Sequence, residues 1–358
     1  MRFAYDTEYR QGFALLRHPE DWASYGLLAA MLLAAPFFAT NYVLGEMAYV
    51  LILCIAAMGL MLLTGFTGQI SLGHAAFVAI GAYAHAWLMR QGVPLAASIP
   101  LAALISAAAG LLVGIPAIRV HGLYLAMVTL AFAIIVEQFI GMWRSVTGGF
   151  MGLSVPRPEL FGLSLTSPTA FYYFCLAVAV VVLVGLLNLL RSGLGRAFVG
   201  VRDSEAAAAG LGINVKWVKI TAFGLSAGVT GLAGALMAHH IGYLTPDGFT
   251  LLLSLELVLM VVIGGLGSMR GAIMGAVVIG LLPVLISRLK TVLPDAIARQ
   301  FGLELFVFGA ILAFFVLFEP RGLNGRWLKL RALIQTFPLY RRDQFRRQKA
   351  YMKSERDK

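Results

Sequence analysis

Few residues in this chain combine a reactive type with a position where chemistry could occur. Glu256 is a carboxylate inside the apolar stretch LLLSLELVLM, where an ionised side chain costs about 2.5–3.5 kcal/mol on insertion scales. It either serves a polar path or gate, or it makes a structural hydrogen bond, and the sequence leaves both open. His239 and His240 are adjacent, but no Cys or further acid at ligand spacing joins them, so we expect no metal site.

The sequence has no paired Asp and no HExxH arrangement of the kind that a membrane-embedded enzyme would need. It also has no Gly-Lys dipeptide, so it lacks the GxxxxGK[ST] loop that binds nucleotide phosphates. We therefore expect no catalytic residue, no metal and no cofactor in this chain.

The composition is that of a membrane protein. Of 358 residues, 60% are hydrophobic and 13% charged, against about 45–50% and about 25% in soluble domains. The net charge is +11, and residues 319–358 hold 12 Lys or Arg against 4 Asp or Glu. A basic tail behind an apolar stretch is explained by topology and anionic lipid headgroups, so we expect no nucleic-acid partner. Cys54 and Cys175 lie in apolar runs and predict no disulfide.

The pattern predicts an all-α, polytopic membrane protein. A spanning helix needs about 20 apolar residues to cross about 30 Å of hydrocarbon. About ten stretches qualify, of which the second and third give the weakest signal: 24–44, 46–63, 70–89, 94–115, 121–141, 169–190, 218–242, 249–266, 271–288 and 303–318. The domain order follows: an N-terminal segment 1–23, a transmembrane domain 24–320 and a basic tail 321–358.

Lys and Arg in short loops predict the orientation. The loop 191–217 and the residues that follow it directly are basic, as is the tail after 318. Both are expected to be cytoplasmic, and the four predicted spans between them agree with that. Counting back from Arg191 through six spans places the N-terminus inside as well. The loop 142–168, which is poor in basic residues, is expected outside.

Two glycine-rich stretches predict broken helices. Residues 65–73 hold too many glycines for a uniform helix, and the longer stretch 65–81 has a faint echo in 264–280. Transporters often contain inverted repeats whose broken helices meet at mid-membrane. Ordinary close packing of small residues is the alternative, and the stripe at Gly224, Gly228 and Ala235, with Gly231 close to it, also suits such packing.

A short surface helix is predicted between the sixth and seventh spans. The sequence from 195 to 214 is GRAFVGVRDSEAAAAGLGIN. Asp203 or Ser204 suits the N-cap position, and the helix dipole favours an acidic residue such as Glu205 in the first turn. Gly210 and Gly212 are residues at which a helix commonly ends. Its smooth alanine face would bury little against its own protein and would suit a groove on a partner.

This segment resembles the EAA-type coupling helix of ABC importer permeases. Further similarity to branched-chain amino acid permeases lies in Gly68–His74 with Ala76-Phe77 and Gly81–Tyr83, in Gly122–Phe132, in Thr147–Gly149 and in Val262–Ser268. On these motifs taken together, the chain is similar to the LivM-type subunit over roughly residues 45–320. One departure is that the family's general motif places glycine six residues after the Glu, where this chain has Leu211, which leaves the docking register open.

The resemblance implies two groups of functional residues. Those for coupling to an ATPase are Gly195, Arg196, Arg202, Asp203, Ser204, Glu205, Ala206, Ala207, Gly210 and Gly212. Those for a substrate path are Gly68, Gln69, Ser71, Gly73 and His74. Glu256 is a sixth candidate because of its position within an apolar stretch. A tight helix crossing would also explain the glycines, and His74 could be a satisfied interface histidine.

The resemblance also implies the function and the partners. The chain would be a permease subunit in a bacterial inner membrane, beside a second homologous permease, two ATP-binding subunits and a periplasmic substrate-binding protein. ATP and Mg would bind the ATPase partners. Branched-chain amino acids are the expected substrate. The alternatives are a permease for urea or short amides and an ion-coupled secondary amino acid transporter, for which Glu256 is almost the sole coupling candidate.

Overall fold

The apolar stretches of the sequence fold into α-helices. A computed structural model describes residues 19–120, 122–160, 163–290, 309–310, 313 and 322–336. The helices are α1 (Pro19–Phe38), α2 (Asn41–Thr67), α3 (His74–Arg90), α4 (Leu95–Ala117), α5 (Leu123–Met142), α6 (Arg144–Thr147), α7 (Pro168–Arg191), α8 (Gly193–Asp203), α9 (Glu205–Gly210), α10 (Val215–Ile241), α11 (Leu251–Gly264), α12 (Met269–Lys290) and α13 (Gly322–Thr336). The short strands are β1 (Leu153–Ser154), β2 (Glu159–Leu160), β3 (Leu163–Ser164) and β4 (Tyr243–Leu244), and 3₁₀ turns cover Gly149–Met151 and Pro246–Phe249.

The predicted all-α membrane architecture is confirmed. Among the described residues, seven helical segments are long and apolar enough to cross a membrane: α2, α4, α5, α7, α10, α12 and Pro246–Gly264, which includes α11. Tyr25–Phe38 of α1 is a shorter apolar helix, and α3 has 17 residues. The predicted span 303–318 lies almost wholly outside the described residues.

The second span differs from its sequence-based expectation. Residues 46–63 gave one of the weakest signals, yet α2 has 27 residues and 78% of its most apolar window is buried. It packs against α7, α10, α11 and α12, so it is apolar all round, as a central helix must be. Gly59 serves this packing, since a Cβ there would lie 3.0 Å from the Ser226 carbonyl oxygen of α10.

Small residues let α10 approach its neighbours closely. A Cβ on Gly228 would lie 3.2 Å from the Cβ of Ala107 on α4, and one on Gly224 would lie 2.6 Å from Leu111. Gly231 faces Ser106, whose hydroxyl donates to the Ala227 carbonyl oxygen at 2.8 Å. Helices in lipid associate through van der Waals fit and such hydrogen bonds. The predicted stripe is therefore a packing surface between α10 and α4.

The bundle has two chemically different ends. At one end, which we call the basic end, α7 finishes, α8 and α9 follow, and α10 begins, with basic residues Arg191, Arg196, Arg202, Lys216 and Lys219. At the opposite end, β1 pairs with β4, which brings the connection after α5 beside the connection after α10. The sequence-predicted inner and outer loops thus lie at opposite ends of α7.

The two glycine-rich stretches interrupt helices as predicted. The first break, residues 68–73, separates α2 from α3, and Gly68 adopts φ 71°. The second break, residues 265–268, separates α11 from α12, and Gly267 adopts φ 81°. The breaks lie side by side, because a Cβ on Gly65 would be 2.8 Å from the Gly267 amide nitrogen. Left-handed backbone of this kind favours glycine.

Candidate functional site

The first break runs from the basic end towards the middle of the bundle, where three helices hold it. The Leu72 amide donates to Thr129 Oγ1 of α5 at 3.0 Å, and the Ala75 amide donates to Ser254 Oγ of α11 at 3.0 Å. His74 Nε2 lies 2.8 Å from Ser226 Oγ, near the middle of α10. Non-helical backbone is tolerated at membrane depth only where such partners satisfy it.

The hydrogen bonds around His74 fix its tautomer. Ser226 Oγ donates its proton to the Gly59 carbonyl oxygen at 2.6 Å, so it accepts from His74 Nε2–H. The other ring nitrogen, Nδ1, then accepts from Ser71 Oγ at 2.8 Å. The imidazole is neutral, fully buried and bonded at both nitrogens. The arrangement locks the first break to α10.

The predicted path residues divide into two groups. Ser71, Gly73 and His74 come together in the closed polar core of the first break and are buried. Gly68 is exposed near the basic end, and Gln69 is buried with its Nε2 donating to Thr67 Oγ1 at 3.1 Å. In this conformation, therefore, the polar groups of Ser71 and His74 are shielded from solvent.

Glu256 lies apart from this core. It is half-buried on α11, and among the described residues it has no hydrogen bond or ion pair. Glu256 therefore makes no recorded bond to the polar core of the first break, within the described part of the chain.

A histidine pair that sequence reasoning missed lies at the opposite end. His85 Nε2 of α3 is 2.7 Å from His239 Nε2 of α10. These residues stand far apart in sequence, so no local spacing signals the contact. Within the described part of the chain, no group of three His, Cys, Asp or Glu side chains could hold a metal ion.

The short alanine helix forms where the sequence predicted it. It is α9, Glu205–Gly210, and Ser204 is its N-cap, with Oγ accepting from the Ala207 amide at 3.3 Å. A further helix, α8, precedes it and was not predicted. Phe198 and Val201 are buried on one face of α8, which packs against α2, α7 and α10. The three-residue spacing of these two side chains was the available signal.

The outer face of α9 is exposed. Ala208 is buried against the protein, whereas Ala206, Ala207, Ala209 and Gly210 face outwards. Leu211, directly after the helix, is 82% exposed. A cleft of about 330 Å³ separates α9 from the first turn of α10 and from Ile118. We call these four exposed residues, Leu211 and the cleft the α9 surface; it offers small side chains and room for an inserted partner.

A partly buried ion pair holds α9 to α10. Lys219 Nζ lies 2.6 Å from Glu205 Oε1, with the Lys219 side chain 4% exposed and the Glu205 side chain 42% exposed. The sequence indicated only that Lys219 was one more positive charge at the basic end. Removing Glu205 would leave the buried charge of Lys219 uncompensated, so this contact fixes the position of the α9 surface.

Arg202 connects the end of α8 with the two breaks. Its guanidinium nitrogen NH1 donates to the Gly65 carbonyl oxygen at 3.1 Å, while Nε and NH2 donate to Asp203 Oδ1 at 3.0 and 2.9 Å. By contrast, Arg196 on the same helix donates to the Arg191 carbonyl oxygen at 3.0 Å, away from the breaks.

Apolar helices with two glycine breaks at their centre and an exposed short helix at a basic end define a multi-pass transport permease. The family described as "Branched-chain amino acid transport system / permease component" matches residues 42–316, and the chain belongs to that family. No solved structure matches the chain.

The chain is similar in sequence to relatives of two kinds. The chain is 33% identical to the high-affinity branched-chain amino acid transport system permease protein LivM of Salmonella typhimurium over 325 residues, covering 83% of this chain and 74% of the relative. It is 32% identical to LivM of Escherichia coli K12 with the same coverage. It is 26% identical to LivH of Escherichia coli K12 over 291 residues, covering 75% of this chain and 90% of the relative.

Proposed function

We propose that this chain is a permease subunit of an ABC importer that moves branched-chain amino acids across a bacterial inner membrane. The observation that carries the proposal is the α9 surface at the basic end of a family-typical bundle. An ABC permease without its own nucleotide-binding loop receives its energy from another chain, and α9 is an exposed element at which that chain can act.

The orientation follows from the charges at the two ends. Short loops rich in Lys and Arg remain cytoplasmic, so the basic end faces the cytoplasm. Arg119, which follows α4 at this end, adds to that charge, whereas the connection after α5 has only Arg144 and Arg157. With this orientation both termini of the chain are cytoplasmic, and the paired strands β1 and β4 face the periplasm.

The α9 surface is the docking site for an ATP-binding subunit. Its alanines present little steric bulk, and the adjoining cleft of about 330 Å³ leaves space for side chains of the partner. The Glu205–Lys219 pair makes α9 a firm part of the permease, so a force on α9 is passed to α10. ATP and Mg bind the two ATPase subunits and not this chain.

The transport cycle then has a simple physical outline. A periplasmic binding protein delivers the amino acid to the opposite end, and a second homologous permease completes the conduit. ATP binding draws the ATPase subunits together and displaces α8 and α9. The sealed core around Ser71, Gly73 and His74 opens, and Gly68, Gln69 and Glu256 supply further polar groups along the path.

Reconstitution tests this function. The chain is assembled with its second permease and ATPase subunits in proteoliposomes, and ATP-dependent uptake of labelled leucine is measured with the binding protein present. Valine and isoleucine should compete, while urea and acetamide should not. Competition by urea or acetamide alone would instead assign the permease to those substrates. Uptake driven by an ion gradient without ATP would contradict the proposal.

A matched pair of variants tests the docking site. Ala207→Trp places a large side chain on the α9 surface and should lower uptake by about tenfold or more, since loss of coupling is commonly of that size. Ala96→Trp changes an exposed alanine on α4 at the opposite end and should behave as wild type. Equal uptake in the two variants would remove α9 as the docking site.

A further inference from the structure

The Gly65 carbonyl group belongs to the last turn of α2. The last four carbonyl groups of a helix have no partner within the helix. Arg202 NH1 supplies one for Gly65 at 3.1 Å. A hydrogen bond from a guanidinium to such a group is charge-assisted, and it also complements the negative end of the helix dipole. Arg202 therefore holds the end of α2, directly before the first break.

The same side chain also touches both breaks. Arg202 Cγ is 3.1 Å from the place where a Cβ on Gly68 would lie, in the first break. Arg202 NH1 is 3.0 Å from the place where a Cβ on Gly267 would lie, in the second break. The guanidinium thus lies, partly exposed, beside the point where the two interrupted helices meet.

The position of Arg202 in the chain joins this point to the α9 surface. It is the penultimate residue of α8, and Ser204, two residues later, caps α9. Asp203 holds the other edge of the guanidinium through Nε and NH2 at 3.0 and 2.9 Å. A planar fork with donors on two edges can hold both partners at once, which a lysine ammonium cannot do in the same geometry.

We infer that Arg202 is the positioning residue that couples displacement of the α8–α9 junction to the two glycine breaks. A partner that moves α9 pulls on Arg202, and Arg202 pulls on the Gly65 carbonyl and the adjoining second break. The residue acts through these helix ends and not by contact with the ATPase or the substrate. The inference rests on the proposed function and adds a specific transmission route to it.

The test uses the assembled transporter in lipid nanodiscs and proteoliposomes, with Arg202→Gln, Arg202→Lys and the control Arg119→Gln. Arg119 is an exposed arginine at the same end, so its removal changes the charge equally without touching a break. Three quantities are measured: co-purification of the ATPase subunits, ATP hydrolysis, and amino acid uptake per ATP. A fourth is labelling of Ile70→Cys in the first break, which is feasible because both native cysteines are buried.

Arg202→Gln should retain the ATPase subunits and hydrolyse ATP within about twofold of wild type, while uptake per ATP falls by about tenfold or more. The ATP-dependent change in Ile70→Cys labelling should disappear in the same variant. Arg202→Lys keeps the charge but loses the fork, so its uptake per ATP should fall by about threefold or more. Arg119→Gln should match wild type in all four measurements.

Each other result has a distinct meaning. Loss of ATPase co-purification in both Arg202 variants would make Arg202 a docking residue and overturn the inference, while leaving the proposed function in place. Wild-type uptake per ATP in both variants would also overturn it. If Arg202→Gln fails to assemble, Arg202→Lys decides the question on the same measurements. Absence of ATP-driven uptake in the wild-type complex would instead overturn the proposed function.

Discussion

The two glycine breaks look alike in sequence but are held very differently. The first break, together with the first two residues of α3, makes side-chain hydrogen bonds to three other helices through Thr129, Ser226 and Ser254. The hydrogen bonds recorded for the second break, within the described part of the chain, stay between residues 261 and 272. Leu266, in its middle, is 57% exposed.

This difference assigns separate roles to the breaks. Segments with few buried contacts and local hydrogen bonds open at low free energy, whereas a segment tied to several helices opens only with the fold. We therefore expect the first break to stay fixed within the bundle and the second break to shift against it more easily. Arg202 lies between them, so a displacement of α8 would move its side chain against both breaks. Damage to the first break should lower stability, and damage to the second should mainly lower transport.

The largest effect is expected from Gly73→Ala in the first break. A Cβ there would collide with the Thr129 carbonyl oxygen of α5, which is backbone and cannot swing away. Overpacking of this kind costs about 3 kcal/mol. Unfolding in detergent should show a clear loss of stability, whereas the control Gly45→Ala, in open space on α2, should match wild type. Equal stability of the two variants would show that the first break is not tightly held.

His74→Leu should have the next largest effect. The substitution removes the hydrogen bonds to Ser71 and Ser226 and introduces an apolar side chain of similar size. The Ser71 hydroxyl is then buried without its histidine partner. The expected cost is about 2 kcal/mol in the free energy of unfolding. His74→Asn is a useful companion, because its amide retains a donor and an acceptor and should recover part of the loss. If neither variant changes the unfolding midpoint, the imidazole does not lock the break.

Gly267→Ala tests the second break. The residue has φ 81°, and forcing an L side chain into left-handed backbone costs about 1–2 kcal/mol. Its Cβ would press on Arg202 NH1, so uptake per ATP should fall more than stability does. Gly248→Ala, at a glycine with open space at the opposite end, is the control. A variant with lower stability but unaltered uptake would contradict a mobile second break.

Ser268→Ala should give the smallest effect. Ser268 Oγ accepts from the Gly271 amide at 3.2 Å at the start of α12, and loss of such an N-terminal hydrogen bond costs about 1 kcal/mol. Because this bond is local and the contact of Gly267 with Arg202 stays in place, we expect only a small drop in the unfolding midpoint and a small drop in uptake. A loss as large as that of Gly73→Ala would remove the contrast between the breaks.

Local features of the fold were predictable from the sequence. The first break followed from the glycines in residues 65–73, and α9 followed from Ser204 as a cap and from the glycines at its end. Both depend on backbone preferences of residues close together in the chain. The small-residue stripe on α10 was predicted for the same reason, since a four-residue spacing is visible without any partner helix.

Contacts between distant residues could not be predicted. The pairing of His85 with His239, the pairing of Lys219 with Glu205, and the reach of Arg202 to Gly65 each depend on which helices are neighbours. The burial of α2 was missed for a related reason, because an apolar helix facing lipid and one facing protein have the same composition. The similarity of the two breaks in sequence likewise gave no hint that only the first is tied to three helices.

The central claim is that the α9 surface faces the cytoplasm and receives the ATPase subunits. The most direct measurement is labelling of Ala207→Cys by a membrane-impermeant maleimide in oriented membrane vesicles, with and without those subunits. We expect Ala207→Cys to be labelled only in inside-out vesicles, and we expect bound ATPase subunits to protect this cysteine strongly from labelling. Labelling from the periplasmic side, or no protection by bound ATPase subunits, would contradict it.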